Sequence, residues 1–318
     1  MIRLLDIFRA LADPTRLRIV GLLRSMELSV GELAAVLGQS QPRVSRHVKI
    51  LADAGLCDRR KEGSWVFLSL ADGQPVTTLM TAVDALCPEQ HALMAADAAR
   101  LAAVRADRAA AAEQYFAAHA GEWDAIRSLH VAESEVEQAM ARILGPAPIG
   151  RLVDVGTGTG RMLELFGPRA ASALGVDRSP EMLRLARAKL AESGRVAVDL
   201  RQGDMYALPL ASASADLVIV HQVLHYAHQP ASAISEAARV LAPGGRLLLV
   251  DFAAHEREDL RLRDAHVRLG FADDQIEQWF EAASLERIAG ERLVGGELTV
   301  KLWLGARRPV SREEELAA

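Results

Sequence analysis

The chain has 318 residues, half of them apolar and a quarter charged, with a formal net charge of −5 at pH 7. At about twice the usual domain size it calls for two separate cores. Its composition is that of a globular protein and excludes the disordered, fibrous and coiled-coil-rod classes.

The longest apolar runs, such as 217–220 and 247–250, fall far short of the roughly 20 residues that cross a bilayer, so no membrane span is expected. Asp6, Arg9, Asp13 and Arg16 interrupt the apolar residues of the N-terminus and leave no secretory h-region. A cytoplasmic location is therefore expected. Cys57 and Cys87, 30 residues apart without CxxC or Cys/His spacing, argue for small packed side chains and against a disulfide or zinc framework. Charge is uneven along the chain. Residues 1–85 hold 11 basic and 9 acidic side chains, the remainder 26 and 33. Within 38–61, Arg43, Arg46, Lys49, Arg59, Arg60 and Lys61 meet only Asp53 and Asp58, a surplus that suits a polyanion.

In chain order, Leu4, Leu5, Phe8 and Leu11, then Leu17, Ile19, Val20, Leu22 and Leu23, recur at helical spacing. Asp13 and Pro14 stand between them as N-cap and first-turn proline and divide two helices. A third helix follows Ser29, with Glu32 completing a capping box and Gly38 stopping it. The fourth starts at about Ser40, has Pro42 in its first turn, buries Val44, Val48 and Leu51, and ends before Gly55. Residues 56–60 and 64–70 alternate around Lys61-Glu62-Gly63 and predict a β-hairpin.

Helix, helix, helix-turn-helix, hairpin is the winged helix-turn-helix order, an α+β domain whose second short helix enters the major groove while the wing reaches the flanking backbone. Candidate DNA contacts are Ser40, Gln41, Arg43, Ser45, Arg46, His47 and Lys49 on the helix and Arg59, Arg60 and Lys61 on the wing. Their i, i+3, i+4 spacing lets cationic and amide side chains meet base edges and phosphates together. The charge pattern alone would also fit a solvated helix face; the added hairpin favours the DNA reading.

The stretches ALADPTRLRIVGLL, SVGELAAVLGQSQPRVSRHVKILADAGL and DRRKEGSWVFLSL resemble the ArsR/SmtB family of winged-helix repressors, over about residues 3–85. The resemblance implies a homodimer on a double-stranded DNA operator, two-fold symmetry setting two recognition helices about one DNA turn apart. Metal sensors of that family carry a Cys-x-Cys pair where this chain has Ser29 and Gly31, and no paired Asp/His pattern follows the wing. No metal site is expected here.

Residues 86–145 are rich in Ala and Leu and predict a helical linker. Its stripe of Leu86, Leu93, Leu101 and Val104 fits pairing with a second chain and fits an internal core equally. After Pro146, apolar runs at 152–155, 173–176, 198–201, 217–220 and 247–250 alternate with helical stretches such as 180–192 and 230–241. This alternation predicts an α/β doubly wound, Rossmann-like parallel sheet, which binds ligands at the carboxyl ends of its strands. The expected organisation is 1–85, winged helix; 86–145, linker, dimerisation and lid; 146–308, α/β domain; and 309–318, a polar tail.

Asp154-Val155-Gly156-Thr157-Gly158-Thr159-Gly160 closes the first of these strands and opens a helix. Glycines there let the backbone turn tightly and approach a nucleoside with free amides. A dinucleotide fingerprint would need glycine at 161, where the chain has Arg161, so the spacing argues against NAD. Asp177 ends the second strand, 19 residues after Gly158, where a carboxylate accepts both ribose hydroxyls. Gly203-Asp204-Met205 follows the third, an acid for an adenine amino group beside an apolar neighbour.

This constellation, with LVDVGTGTGRML, LGVDRSPEML, QGDMYALPL, ADLVIVHQVLHY and RVLAPGGRLLLVDF, resembles class I S-adenosylmethionine-dependent methyltransferases over about residues 110–308. The resemblance implies S-adenosylmethionine or S-adenosylhomocysteine as cofactor. Asp154, Gly156, Thr157, Gly158 and Gly160 would hold its methionine part, Asp177 the ribose, and Asp204 and Met205 the adenine, with Tyr115, Arg178, Met182 and His221 completing the set. Tyr115, Phe116 and Trp123-Asp124 would form a helical lid.

A base is needed only where the acceptor must lose a proton, because the cofactor's methyl is already activated. Candidates are His221, His225, Tyr226, His255 and His266, each of which could equally be a hydrogen-bonded structural side chain. No tight ligand spacing supports a metal. The absence of cysteine after Cys87 argues against arsenic as the methyl acceptor. The expected function is a DNA-binding transcriptional regulator with a methyltransferase domain that senses S-adenosylmethionine or S-adenosylhomocysteine. The alternatives are a small-molecule methyltransferase whose winged helix serves dimerisation, and a protein that does both.

Overall fold

The computed structural model describes residues 2–24, 27–62, 65–71, 76, 78–82, 95–103, 106, 131–192, 198–295 and 297–308. The chain forms two compact units, Met1–Ala111 and Ala112–Ala318, each with its own core. Among the described residues no helix is long and apolar enough to cross a membrane.

In the first unit, α1 (Ile2–Leu11) and α2 (Pro14–Leu23) meet at Asp13, whose carboxylate accepts the Arg16 amide at 3.1 Å as the N-cap. α3 (Val30–Leu37) opens on a complete capping box, Ser29 and Glu32 each taking the other's backbone N–H, and closes on Gly38 at φ 64°. α4 (Gln41–Asp53) buries Val44, Val48 and Leu51. The hairpin β2 (Cys57–Glu62) and β3 (Trp65–Leu70) is joined by β1 (Leu28–Ser29), which pairs antiparallel with β3 to give the order β1-β3-β2. Two residues are too few to show periodicity, which is why β1 was not legible in the sequence. Ile19, Leu33, Leu51, Leu56 and Leu68 form a sealed centre. Cys57 is buried beside them and burial pushes its thiol up to about 11, so it packs as a small apolar group.

Part of the expected linker belongs to this core. Residues 95–103 are helical and Leu101 is buried in the same cluster, the internal one of the two readings of that stripe; Leu86, Leu93 and Val104 lie outside the described residues. Asp97, 3% exposed, takes both arms of Arg18 on α2 at 2.6 and 2.7 Å. By contrast Leu4, Leu5 and Phe8 of α1, read as an apolar helix face, are each more than half exposed.

The second unit carries a seven-stranded sheet in the order β6-β5-β4-β7-β8-β10-β9. Its strands are β4 (Gly150–Val155), β5 (Ala170–Asp177), β6 (Val198–Gln202), β7 (Ala215–His221), β8 (Leu241–Phe252), β9 (Leu285–Val294) and β10 (Thr299–Arg307). The first five run parallel; β10 is antiparallel to β8 and to β9. Successive residues of the central strands enter opposite cores: Leu152, Leu217, Ile219 and Leu248 face one, Val153, Val218, Val220 and Leu249 the other. Burial on both faces accounts for the unbroken apolar runs. One face is covered by α5 (Glu133–Leu144) and α6 (Arg161–Phe166), the other by α8 (Pro230–Val240) and α10 (Asp273–Ala282). The first face also receives α7 (Pro180–Glu192) through Leu190 and the short α9 (Asp259–Arg263) through Leu260.

Removing one partner of a buried ion pair strands the other charge, a loss of about 3 kcal/mol or more. Asp97→Ala is accordingly expected to lower the stability of the first unit by about 3 kcal/mol, seen as an earlier denaturant transition of that unit while the second keeps its own midpoint. An unchanged first transition would show that Arg18–Asp97 contributes nothing net.

Candidate functional site

On α4 the structure sorts the expected DNA contacts by what holds them. Gln41, Arg43, Ser45 and Arg46 are exposed beside the N-cap position Ser40. Lys49 pairs with Asp53 at 2.6 Å, both about two-thirds exposed, a contact weak enough to yield to a phosphate. His47 turns inward: its ring nitrogen lies 3.8 Å from Asp13, and its side chain is 14% exposed. On the wing, Arg59 and Lys61 are exposed. Arg60 is held by Glu27 at 2.7 Å and lies over the Phe67 ring, tying the wing to the segment before β1.

In the second unit the glycine loop crosses from β4 to α6 with Gly156, Gly158 and Gly160 at φ 68°, 53° and 84°, a backbone that side chains other than glycine rarely adopt. Asp154, 1% exposed, accepts from the Thr157 hydroxyl at 2.6 Å. The amides of Gly156 and Thr157 both donate to the Val176 carbonyl at 2.7 and 3.0 Å, folding the loop over the end of β5. There Asp177 accepts the Gly158 amide on one oxygen and the Ser179 amide on the other, both at 2.8 Å. Burial drives its carboxyl above the usual range, against the lowering effect of these amides.

Ser179 also accepts the Met182 amide at 3.2 Å, and Met182 is buried beneath; Arg178 points to solvent, its carbonyl accepting from Gln202. The Gly203 amide donates to the Asp177 carbonyl at 3.0 Å, which sets half-buried Asp204 and Met205 beside it. Asp204 accepts the Tyr206 amide at 3.0 Å. Asp154, the three glycines, Asp177, Met182, Asp204 and Met205 thus gather at the carboxyl ends of β4, β5 and β6. Tyr115, Phe116, Trp123 and Asp124 lie outside the described residues.

The histidine candidates converge at the ends of β7 and β8. His221 closes β7 and is buried. The His225 ring lies 4.0 Å from Tyr226, 4.3 Å from His266 and 5.0 Å from Phe252, centre to centre, and Phe252 reaches His255 at 6.3 Å. Asp251, not among the candidates above, binds His225 Nδ1 at 2.8 Å. Its signal was present: like Asp177, it is an acid at the carboxyl end of an apolar run. Among the described residues no group of three or more His, Cys, Asp or Glu is placed to hold a metal ion.

Residues 153–249 match the model of a methyltransferase domain, and residues 13–58 that of the bacterial regulatory protein arsR family. The chain therefore belongs to the methyltransferase family and carries an arsR-type DNA-binding domain ahead of the methyltransferase domain. It is 30% identical over 178 residues to the uncharacterized methyltransferase YcgJ of Bacillus subtilis (strain 168), covering 52% of this chain and 69% of that one. It is 46% identical over 72 residues to the arsenical resistance operon repressor of Escherichia coli (strain K12), covering 22% of this chain and 62% of the repressor. A crystal structure of a methyltransferase from Bacillus halodurans, 21% identical, superposes with a TM-score of 0.50 over 55% of this chain and 99% of that one, a likeness that bears on the fold. The family implies S-adenosylmethionine, and the loop fits it: three Cβ-free positions over a strand end, with an acid whose two oxygens are pre-set by backbone amides.

A Cβ on Gly156 would lie 2.5 Å from Val223 Cγ2, in a left-handed backbone. Gly156→Ala is expected to cost about 1–3 kcal/mol and to displace the loop after β7, read as lost hydrogen-exchange protection at the Tyr226 and Ala227 amides. Unchanged protection would mean the two loops do not depend on each other.

Proposed function

We propose that the protein is a homodimeric DNA-binding regulator whose methyltransferase domain binds S-adenosylmethionine or S-adenosylhomocysteine, and that this occupancy alters operator binding. The observation that carries the cofactor reading is the Asp177 carboxylate, fixed by Gly158 and Ser179 so that its remaining lone pairs are available to two ribose hydroxyls. When bound, S-adenosylmethionine supplies an activated methyl group. Asp154 and the glycine loop would hold its methionine part, and Asp204 and Met205 its adenine.

Two features support the regulatory part. Arg43 and Arg46 are exposed on α4, and no ion pair is recorded for either among the described residues. The arsenical repressor that the first unit resembles is, by its name, a repressor of an operon. The exposed Leu4, Leu5 and Phe8 of α1 supply an apolar face for a second copy. The helical residues 95–103 are clamped to α2 through Asp97 and precede the methyltransferase domain in sequence, so a change of state passed along the chain would reach the first unit at this helix. Because the affinity of a binding site cannot depend on a distant one without the reverse also holding, operator must change cofactor affinity by the same factor that cofactor changes operator affinity. Titrations of the full chain with each cofactor form, with and without saturating DNA from upstream of its own reading frame, test this. Equal affinities for both forms under both conditions would leave a methyltransferase beside an uncoupled DNA-binding domain, the alternative reading.

Arg43→Ala or Arg46→Ala is expected to weaken specific operator binding by about 1–3 kcal/mol where the side chain reads a base. Arg59→Ala and Lys61→Ala should weaken all sequences alike and lower the salt slope by about one. Arg60→Ala should act chiefly on wing stability, since Glu27 already holds it. Fluorescence anisotropy on operator and scrambled duplexes across salt concentrations separates these outcomes.

The two ribose hydroxyls donate to Asp177 most strongly while it is ionised, and burial raises its carboxyl. Cofactor affinity should therefore fall on acidification at a higher pH than a free aspartate near 3.9 would dictate. Asp177→Asn should bind weakly and without that pH dependence. Calorimetry over a pH series reads both; an identical pH profile in wild type and Asp177→Asn would remove Asp177 from the ribose.

A further inference from the structure

We propose that His225, oriented by Asp251, is the general base of the methyltransferase domain, and that its methyl acceptor is a small planar molecule bearing a phenolic or enolic hydroxyl. The inference rests on the cofactor reading above and adds the acceptor side to it. The loop that carries His225 leaves β7 at His221 and turns at Gln222, a non-glycine residue at φ 51° whose amide donates to the Val250 carbonyl at 2.7 Å. Its next residue, Val223, packs directly on Gly156. The His225 loop therefore adjoins the glycine loop over which the methionine part would lie.

Asp251 is fully buried at the end of β8 and accepts three hydrogen bonds: from His225 Nδ1 at 2.8 Å, from the His225 amide at 3.1 Å and from the Phe252 amide at 2.7 Å. A carboxylate can only accept, so Nδ1 carries the ring proton and Nε2 keeps its lone pair, the tautomer a base requires. The amides of Val267 and Arg268 both donate to the His225 carbonyl at 3.0 and 2.8 Å. Fixed through its amide, carbonyl and ring, the imidazole cannot swing away.

The surroundings indicate what it would deprotonate. Tyr226, His266 and Phe252 place rings around His225, and Tyr226 and Val223 are half-buried at the edge of the cluster. A flat unsaturated acceptor stacks on such walls. An imidazole transfers protons efficiently with acids not far from its own strength, which phenols and enols are and aliphatic alcohols are not. In the step, the acceptor oxygen forms a bond to the methyl carbon as the methyl–sulfur bond breaks. The bonding pair leaves with sulfur, and the hydroxyl proton passes to His225 Nε2, the resulting imidazolium being held against Asp251. The titratable groups against the imidazole are Asp251 from β8, Tyr226 from its own loop and His266 from the segment after β8; Arg268 meets the His225 carbonyl through its amide, and His255 meets the cluster through Phe252.

The full chain, supplied with S-adenosylmethionine and para-substituted phenols of graded acidity, tests the assignment by release of S-adenosylhomocysteine, with calorimetric cofactor binding followed in parallel. His225→Gln is expected to lose about 100-fold or more on the least acidic phenol, the loss shrinking as acceptor acidity rises, while cofactor affinity holds. Asp251→Asn, a change at a positioning residue, should follow the same trend with KM little altered. The wild-type rate on the least acidic phenol should fall on acidification and stay flat for a phenol already ionised, a comparison that requires no variant to fold. Without cofactor, ¹⁵N-histidine NMR should show His225 protonated at Nδ1 and bare at Nε2. Cofactor binding without turnover of any phenol, losses independent of acceptor acidity, or a proton on Nε2 would overturn the base alone. Absence of cofactor binding would remove the underlying reading and the base with it.

Discussion

The Asp177 carboxylate is the contact on which the course of the second unit's glycine loop depends. It stands at the carboxyl end of β5 and takes the Gly158 amide from the neighbouring loop at 2.8 Å. Glycines at three positive-φ positions give the loop freedom without side chains there, so its course is set by the Thr157 hydroxyl on Asp154 and by whatever its amides donate to. Here these acceptors are the Val176 carbonyl and Asp177. Glycine gives the approach, and the acid removes the freedom that glycine brings. Asp251 repeats the device at the end of β8, where it fixes the loop after β7 by the amide and ring of His225. In the order β5-β4-β7-β8, the two acids stand on either side of the central pair and steady the loops that leave it.

What was legible in the sequence follows from how local each signal is. The Ser29–Glu32 box spans four residues, and Asp13-Pro14 and Gly38 act within one helical turn, so the first four helices could be placed with their caps. The parallel strands announced themselves because burial on both faces leaves only apolar residues. β9 and β10 gave no such run. β9 is an edge strand in which Glu286, Arg287, Glu291 and Arg292 are interleaved with Ile288 and Leu293, a mixture that hides the strand while discouraging a further one from pairing there. Contacts between residues distant in sequence were beyond reach: Arg18–Asp97, Arg60–Glu27 and His225–Asp251 are separated by 79, 33 and 26 positions. His47 shows the same limit, since helical spacing alone set it with the outward residues and the neighbouring Asp13 turned it in.

Charge on the winged helix divides by desolvation as well as by position. The Lys49–Asp53 pair is exposed to solvent on both sides, so its attraction is screened and a phosphate can replace Asp53 at little cost. Arg60 is different: Glu27 is mostly covered, and the Phe67 ring lies under the guanidinium, so drawing Arg60 away would leave a shielded carboxylate without its cation. The basic surface so formed has a wing base held by Glu27 and exposed cations on β2 and along α4, the arrangement on which the proposed phosphate and base contacts rest.

The Arg18–Asp97 clamp bears on how a distant ligand could matter to that surface. A surface ion pair would let helix 95–103 slide against α2 with little resistance. A bidentate pair with Asp97 only 3% exposed resists sliding, because intermediate positions leave the buried carboxylate with only the more exposed Arg100 as its cation. The helix and α2 therefore move together or separate outright, and discrete behaviour of this kind is what a linkage between sites requires. α2 in turn contributes Asp13, which caps it and also lies beside His47 of α4. A displacement of residues 95–103 would thus reach α4 through packed and paired groups. Under the proposed coupling its size would be bounded by the difference in cofactor affinity between the two arrangements, since a ligand that binds both equally shifts neither, however tightly it binds.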